Sequence, residues 1–229
     1  MNNRNPHALD NATWFALTGK QAHLREGSKS AFRFRADIAP FAAVENLTEE
    51  TLRELVMLTM SSGLVVFPSR VALPQIDELA VEQPGVLLQM TASGSPEGDT
   101  GNDIFRLGEK DVPDMLALTE KTKPGPFGKR TYEMGNYIGI RHEGQLIAMA
   151  GERMRLDGYT EISAVCVDDD HRGKGLAGRL INVLRGEILA RGDTPFLHVF
   201  AHNPSAISLY ERLGFVARQR FQLYKLTSK

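Results

Sequence analysis

Apolar and polar positions change period several times along this chain, and each change marks an element. In "AFRFRAD", residues 31–37, they alternate, with Phe32 and Phe34 on one face and Arg33 and Arg35 on the other. That is the pattern of a strand with one wet face. "LTEETLRELVMLTMSSG" repeats every three to four residues, the period of a helix. Thr48 is placed to cap it, Glu49 and Glu50 complement its positive end, and Gly63 follows it. "LVVF" and "GVLLQMT" are short apolar runs of the kind buried strands use. "NATWFALTG" predicts a short helix ending at Gly19.

Beyond residue 102 the pattern is more regular. "DIFRLG" predicts a strand, and "DVPDMLALTEKTK" a helix with Asp111 as cap and Pro113 in its first turn. "NYIGIRH" and "LIAMAGERMRL" flank the turn "EGQ" as a hairpin, and "TEISAVCV" adds a third strand. A helix with a glycine-rich start follows and ends near Gly192. "PFLHVF" is a strand, and "NPSAISLYERLGF" a short helix with Asn203 as cap, Pro204 at its start and Gly214 past its end. "FVARQRFQLYKL" closes as a strand. This order predicts an α/β fold with a mixed, mostly antiparallel central sheet flanked by helices. "TASGSPEGDTGND", residues 91–103, reads as a linker. It divides the chain into residues 1–102 and residues 103–229.

Composition narrows the function. The formal net charge of -1 gives no overall basic field, so no nucleic-acid partner is expected. The one cysteine, Cys166, forbids an internal disulfide and fits a reducing compartment. "MNNRNPHALDNATW" has no apolar core of a signal peptide, and no apolar run is long enough to cross a bilayer. A cytoplasmic protein with no membrane partner is the expectation.

The candidate chemistry centres on "HRGKGLAGRL", residues 171–180. It puts Gly173, Gly175 and Gly178 at the mouth of a helix, among His171, Arg172, Lys174 and Arg179. Glycine is poor inside a helix but lets an anion approach bare backbone, where unpaired N–H groups and the helix dipole favour phosphate. Three anions compete. Gly173, Gly175 and Gly178 match G-x-G-x-x-G, but "DDDHR" separates them from the strand, and "AHN" after "PFLHVF" holds no acid for a ribose. A P-loop needs Lys followed by Ser or Thr, whereas Lys174 precedes Gly175. The pyrophosphate of coenzyme A suits the short Arg-Gly-Lys-Gly turn, with Arg172 and Lys174 to neutralise charge.

"RGKGLA", residues 172–177, is similar to the R/Q-x-x-G-x-G/A motif of the GNAT superfamily of N-acetyltransferases. "NPSAISLYERLGF", residues 203–215, resembles that family's N-x-x-A-x-x-x-Y-x-x-x-G-F helix. The resemblance covers about residues 103–229 and implies the GNAT fold, acetyl-CoA as co-substrate, and a primary amine acceptor. It implies that Val165, Cys166 and Val167 run beside the pantetheine arm. The backbone of Arg172, Gly173, Lys174, Gly175, Leu176, Ala177 and Gly178 would hold the pyrophosphate, with Asn203 and Tyr210 near the thioester. The branch that includes glycine N-acyltransferase-like proteins looks most similar, with the first half a degenerate second copy in a tandem arrangement.

Acyl transfer needs a neutral amine, a donor to the thioester oxygen, and a proton for the departing thiolate. Glu161, at the start of "EISAVCV", is the candidate base, with Glu133, Glu152 and water as alternatives. By alternation Glu161 shares a face with Ser163, Val165 and Val167 unless a bulge intervenes. Tyr210 is the candidate acid, against the alternative of a core tyrosine beside Ile207 and Leu213. Cys166 alternates with Ile162 and Ala164, so an inert core thiol and direct transfer are expected. His198 and His202 straddle a strand end, so no metal site is expected, and "DDD", residues 168–170, reads as a solvated turn.

The acceptor is expected to be a small molecule, because no acidic groove is marked to draw a basic peptide. Residues 122–137 stand where its pocket would form. Phe127, Tyr132 and Tyr137 are candidate walls, and Lys129 and Arg130 candidate partners for a carboxylate. A protein N-acetyltransferase and a non-catalytic acyl-CoA-binding regulator are the alternative functions. The first half is a candidate scaffold, pocket wall or homodimer surface.

Overall fold

A computed structural model describes residues 7–96 and 103–229. Residues 97–102, the centre of the expected linker, lie outside the described residues. The first half holds helix α1 (Ala12–Thr18), strands β1 (Arg25–Ser28), β2 (Ala31–Phe34) and β3 (Ala42–Val44), helix α2 (Glu49–Ser62), and strands β4 (Val65–Ser69) and β5 (Leu79–Ala92). The second half holds β6 (Ile104–Leu107), α3 (Val112–Thr122), β7 (Tyr137–His142), β8 (Gln145–Leu156) and β9 (Tyr159–Val167). It continues with α4 (Leu176–Ala190), β10 (Thr194–Phe200), α5 (Pro204–Arg212) and β11 (Phe215–Ser228).

The mixed, mostly antiparallel sheet expected from the sequence forms. Eight strands run in the order β4-β11-β5-β10-β9-β8-β7-β6, and only β9 and β10 are parallel. β1, β2 and β3 form a separate antiparallel sheet of three. The strand order corrects the division at residue 102. β5, from the first half, lies between β10 and β11 of the second, while β11 pairs in turn with β4 of the first. The halves therefore exchange their last strands and share one sheet. β5 packs into both cores: Met90 and Ala92 join the core under α4, and Leu87 joins the core around α1.

Local signals act as their chemistry requires, with two exceptions. Thr48 accepts from the Thr51 amide, and the Thr51 hydroxyl accepts from the Thr48 amide, so α2 starts with a reciprocal cap. Asp111 does not cap α3; its carboxylate accepts from the Gly108 amide at 3.0 Å and from Arg141 at 2.9 Å. Arg33, expected on a wet face, is buried. Its guanidinium donates to the carbonyls of Phe34 and Ser62, and Ser62 ends α2, where the dipole favours a cation. Burial lowers its pKa despite the Glu26 carboxylate 3.4 Å away.

Candidate active site

β9 and β10 pair over three positions only, the last being Glu161 with Phe196. Beyond that pair β10 follows β5, and β9 runs on without a strand on that side. The two strands splay. A cleft of about 700 Å³ opens along β9, the residues before α4, and one face of α5. Val165, Cys166 and Val167 line it, and their backbone faces it without a neighbouring strand.

A bulge sets which side chains face the cleft. Met149 pairs with Cys166 but Gly151 pairs with Ser163, so β9 carries one extra residue between them. Ala164 takes a positive φ of 52° there. Ile162 before the bulge and Val165 and Val167 after it pack with α4 residues, while Ala164 and Cys166 pack with Met115 of α3. Strict alternation from Glu161 to Val167, and from Ile162 to Cys166, therefore fails. Burial pushes the Cys166 thiol up to about 11, so it is almost wholly protonated at neutral pH.

The glycine mouth meets its backbone demands at two positions. Gly173 and Gly175 have φ of 76° and 74°, the left-handed region, and a Cβ at either would meet no atom within 4 Å. α4 begins at Leu176, so its unpaired amides open into the cleft beside both glycines. Gly178 has no such φ; it lines the cleft in the first turn of α4, where its missing side chain keeps the wall bare. Arg172, Leu176 and Ala177 also line the cleft. Lys174, between the two glycines, is exposed and lies outside the lining. In the turn into the mouth Asp169 and Asp170 are exposed, as expected, but Asp168 is an anchor. Asp168 is buried, accepts from the Asp170 amide at 3.1 Å, and pairs with Lys121 at 2.8 Å. The Lys121 hydrogen bond holds its carboxyl below the usual range.

From the other wall, Asn203 caps α5 by accepting from the Ala206 amide at 3.1 Å and lines the cleft. Tyr210 lines it two helical turns further on. Burial pushes its phenol up to about 12, so it holds its proton. Ser205, Leu209 and Arg212 share the lining. Their spacing of four and then three residues is one helix face, a signal that the sequence carried. Thr122, His171 and Ala206 complete the wall.

Glu161 stands at the apex of the splay, but it is fully buried and outside the cleft lining. Arg153 grips it with two hydrogen bonds of 2.9 and 2.6 Å, and His198 Nδ1 lies 2.7 Å from Oε1. Burial alone would raise its pKa; the Arg153 charge and these bonds override that and hold it at about 2. Gln89 fixes the His198 tautomer. Its Oε1 accepts from Arg218 at 2.8 Å and its Nε2 donates to the Leu9 carbonyl at 3.0 Å, so its amide orientation is set twice. The remaining Gln89 N–H faces His198 Nε2 at 3.1 Å, which must accept, leaving the ring proton on Nδ1 for Glu161. Arg218 continues the chain to Asp10 at 2.6 Å. Glu161 is thus bound into a polar network between the halves and is not the free strand-end carboxylate that the sequence suggests.

The alternative carboxylates are also engaged. Glu152 is buried and pairs with Arg191, and Glu133 pairs with Arg130, whose hydrogen bond lowers its pKa. Arg130 also holds Asp37 at 2.9 Å, so it is not the open carboxylate partner expected in that loop. Phe127 and Tyr132 do gather with Tyr137, on the α3 side of the sheet behind Cys166. Among the described residues no cluster of His, Cys, Asp and Glu is placed to hold a metal, and no helix is long and apolar enough to cross a membrane.

Comparison with known proteins agrees with this geometry. Residues 137–224 match the family model described as FR47-like protein. A putative acetyltransferase of the GNAT family from Novosphingobium aromaticivorans is 37% identical, with a TM-score of 0.91 over 97% of this chain and 99% of that one. The [ribosomal protein bS18]-alanine N-acetyltransferase of Escherichia coli is 31% identical over 120 residues, 50% of this chain and 80% of that one. A GCN5-related N-acetyltransferase from Kribbella flavida shares the fold at 14% identity, with a TM-score of 0.63 over 94% of this chain and 93% of that one.

Proposed function

The chain belongs to the GNAT family of acetyltransferases, and from that premise we propose that it acetylates a primary α-amine by direct transfer from acetyl-CoA. The family supplies the coarser statement: an acetyltransferase with acetyl-CoA as co-substrate. The glycine N-acyltransferase-like branch is not confirmed by the relatives reported above. The α-amine is our own reading, and the ion-paired state of Glu161, Glu152 and Glu133 carries it. A carboxylate at about 2 is a poor acceptor for an ammonium proton. Transfer from an amine near 8 to such a group is uphill by roughly 8 kcal/mol. A lysine-like amine is only about 0.1% neutral at pH 7.5, whereas an α-amine is about one-third neutral. The site therefore favours an acceptor that arrives already deprotonated or gives its proton to water. The names of two relatives agree: the bS18-alanine N-acetyltransferase and, at 26% identity, the N-alpha-acetyltransferase MAK3 of Arabidopsis thaliana.

In this reading the mouth residues 172–178, apart from the Lys174 side chain, hold the pyrophosphate, and the edge of β9 at Val165–Val167 holds the pantetheine arm. The lining residues are open glycines, helix amides and Arg172, which fit phosphate. Bound acetyl-CoA supplies an activated acetyl thioester. The neutral amine nitrogen bonds to the acetyl carbon, the carbon–sulfur bond breaks, Tyr210 gives its proton to the leaving sulfur, and the proton shed by the nitrogen returns through water to Tyr210. Glu161 acts as an anchor: it ties β9 and β10 together where they part. The first half is best read as a degenerate copy of the second. It runs three antiparallel strands, a helix, then β4, whose Val66 bridges Phe41 beside β3 in parallel, and then β5.

A panel of amines tests the acceptor, with free thiol release as the readout. A tripeptide with a free N-terminus should turn over. An N-blocked peptide with one lysine and a polyamine should not. Preference for either of those, or for a small amine of high pKa, would overturn the α-amine reading.

A further inference from the structure

The hydroxyl of Tyr137 is buried and has no hydrogen-bond partner, which is uncommon for a buried polar group. Its position is built into the sheet. Tyr137 pairs with Gly151, and Gly151 pairs with Ser163. The tyrosine ring lies across Gly151: a Cβ there would stand 2.1 Å from ring carbon Cε1. Glycine inside a strand sacrifices packing, and here it makes room for another side chain. The ring so placed carries its hydroxyl past β8 toward β9. There it comes within electrostatic reach of Arg153, Glu161 and Glu152 without bonding to any of them. Those groups are already engaged with partners of their own. Burial raises the phenol's pKa, so the hydroxyl keeps a proton to donate.

The packing around this ring reaches from the hydroxyl's side of the sheet to the cleft. Tyr137 packs in one cluster with Ala164 at the β9 bulge and with Cys166, which lines the cleft. Phe127 meets its ring edge-on at 5.7 Å, and Tyr132 packs on the same cluster. We propose that the Tyr137 hydroxyl binds a carbonyl oxygen adjacent to the acceptor's amine, beneath the aromatic cover of Phe127 and Tyr132. A peptide α-amine carries such a carbonyl two bonds from its nitrogen, so the proposal rests on the α-amine reading and makes it more specific. Tyr137 is then a specificity-determining residue of the acceptor site.

Tyr137→Phe keeps the ring over Gly151 and removes only the hydroxyl. Wild type and variant are compared on a free-N-terminus tripeptide and on an alkyl amine of similar size without the carbonyl. The variant should raise the peptide KM about tenfold, the effect of one lost hydrogen bond. The alkyl amine KM, the acetyl-CoA Kd and the melting temperature should not move. An unchanged peptide KM would overturn the proposal and leave the hydroxyl with an internal water only. An equal loss on both acceptors would overturn it as well. Failure of the α-amine reading looks different: the wild-type enzyme itself ignores the peptide. The comparison then moves to an amine that it does use and the analogue lacking the neighbouring oxygen. A wild type that uses only amines without such an oxygen also overturns the proposal.

Discussion

Replacing Glu161 by glutamine removes one charge from a place that water does not reach, while the side-chain shape is kept. Arg153 then stays behind in the same buried site with no counter-charge. Breaking a buried pair this way costs about 3–5 kcal/mol. Proton linkage gives an independent figure. The carboxyl moves from 4.5 to about 2 on folding, a shift equivalent to about 3 kcal/mol at neutral pH. Because the folded value is the lower one, this stability is present above pH 4.5 and is lost as pH falls toward 2. Urea unfolding of wild type and Glu161→Gln at pH 7, 5, 4 and 3 tests this. The gap between them should be about 3 kcal/mol at pH 7 and shrink to about 1 kcal/mol by pH 3. A gap that stays constant with pH would trace the loss to packing and refute the electrostatic argument. A variant as stable as wild type at pH 7 would refute the pairing itself.

Tyr210→Phe should lower kcat by 10- to 100-fold with the acetyl-CoA Kd unchanged, measured by thiol release and calorimetry; an unchanged kcat removes Tyr210 from the reaction. Cys166 should react slowly with iodoacetamide at pH 8, since burial pushes its thiol to about 11, and mass spectrometry of intact protein would show rapid labelling if that is wrong. Residues 103–229 expressed alone should not give a folded monomer, because β5 is missing between β10 and β11. A dispersed amide spectrum from that fragment at low concentration would contradict this.

Most of the second half is legible because its elements are regular and bounded by strong signals. Asn203, Pro204 and Gly214 frame α5 where the sequence puts them, and the glycine mouth precedes α4. Two kinds of fact were not legible. One is pairing across long separations. Nothing local in "GVLLQMT" says that β5 will sit between β10 and β11, so the composition of residues 91–103 alone suggests a domain boundary. The other is the partner of a charge. Glu161, Arg130 and Asp168 each looked like a free or solvated group, and each is engaged by a residue distant in sequence or placed by a turn. The bulge at Ala164 belongs with these: one extra residue reversed the facing of Val165, Cys166 and Val167, and alternation alone does not reveal it.

Calorimetric titration with acetyl-CoA, of wild type beside Gly175→Val, tests the central claim most directly. A β-branched residue at φ 74° strains the mouth and covers its backbone. The account predicts saturable micromolar binding to wild type and at least a tenfold weaker affinity in the variant, with both proteins folded. No binding to wild type, or equal binding to both, would contradict it.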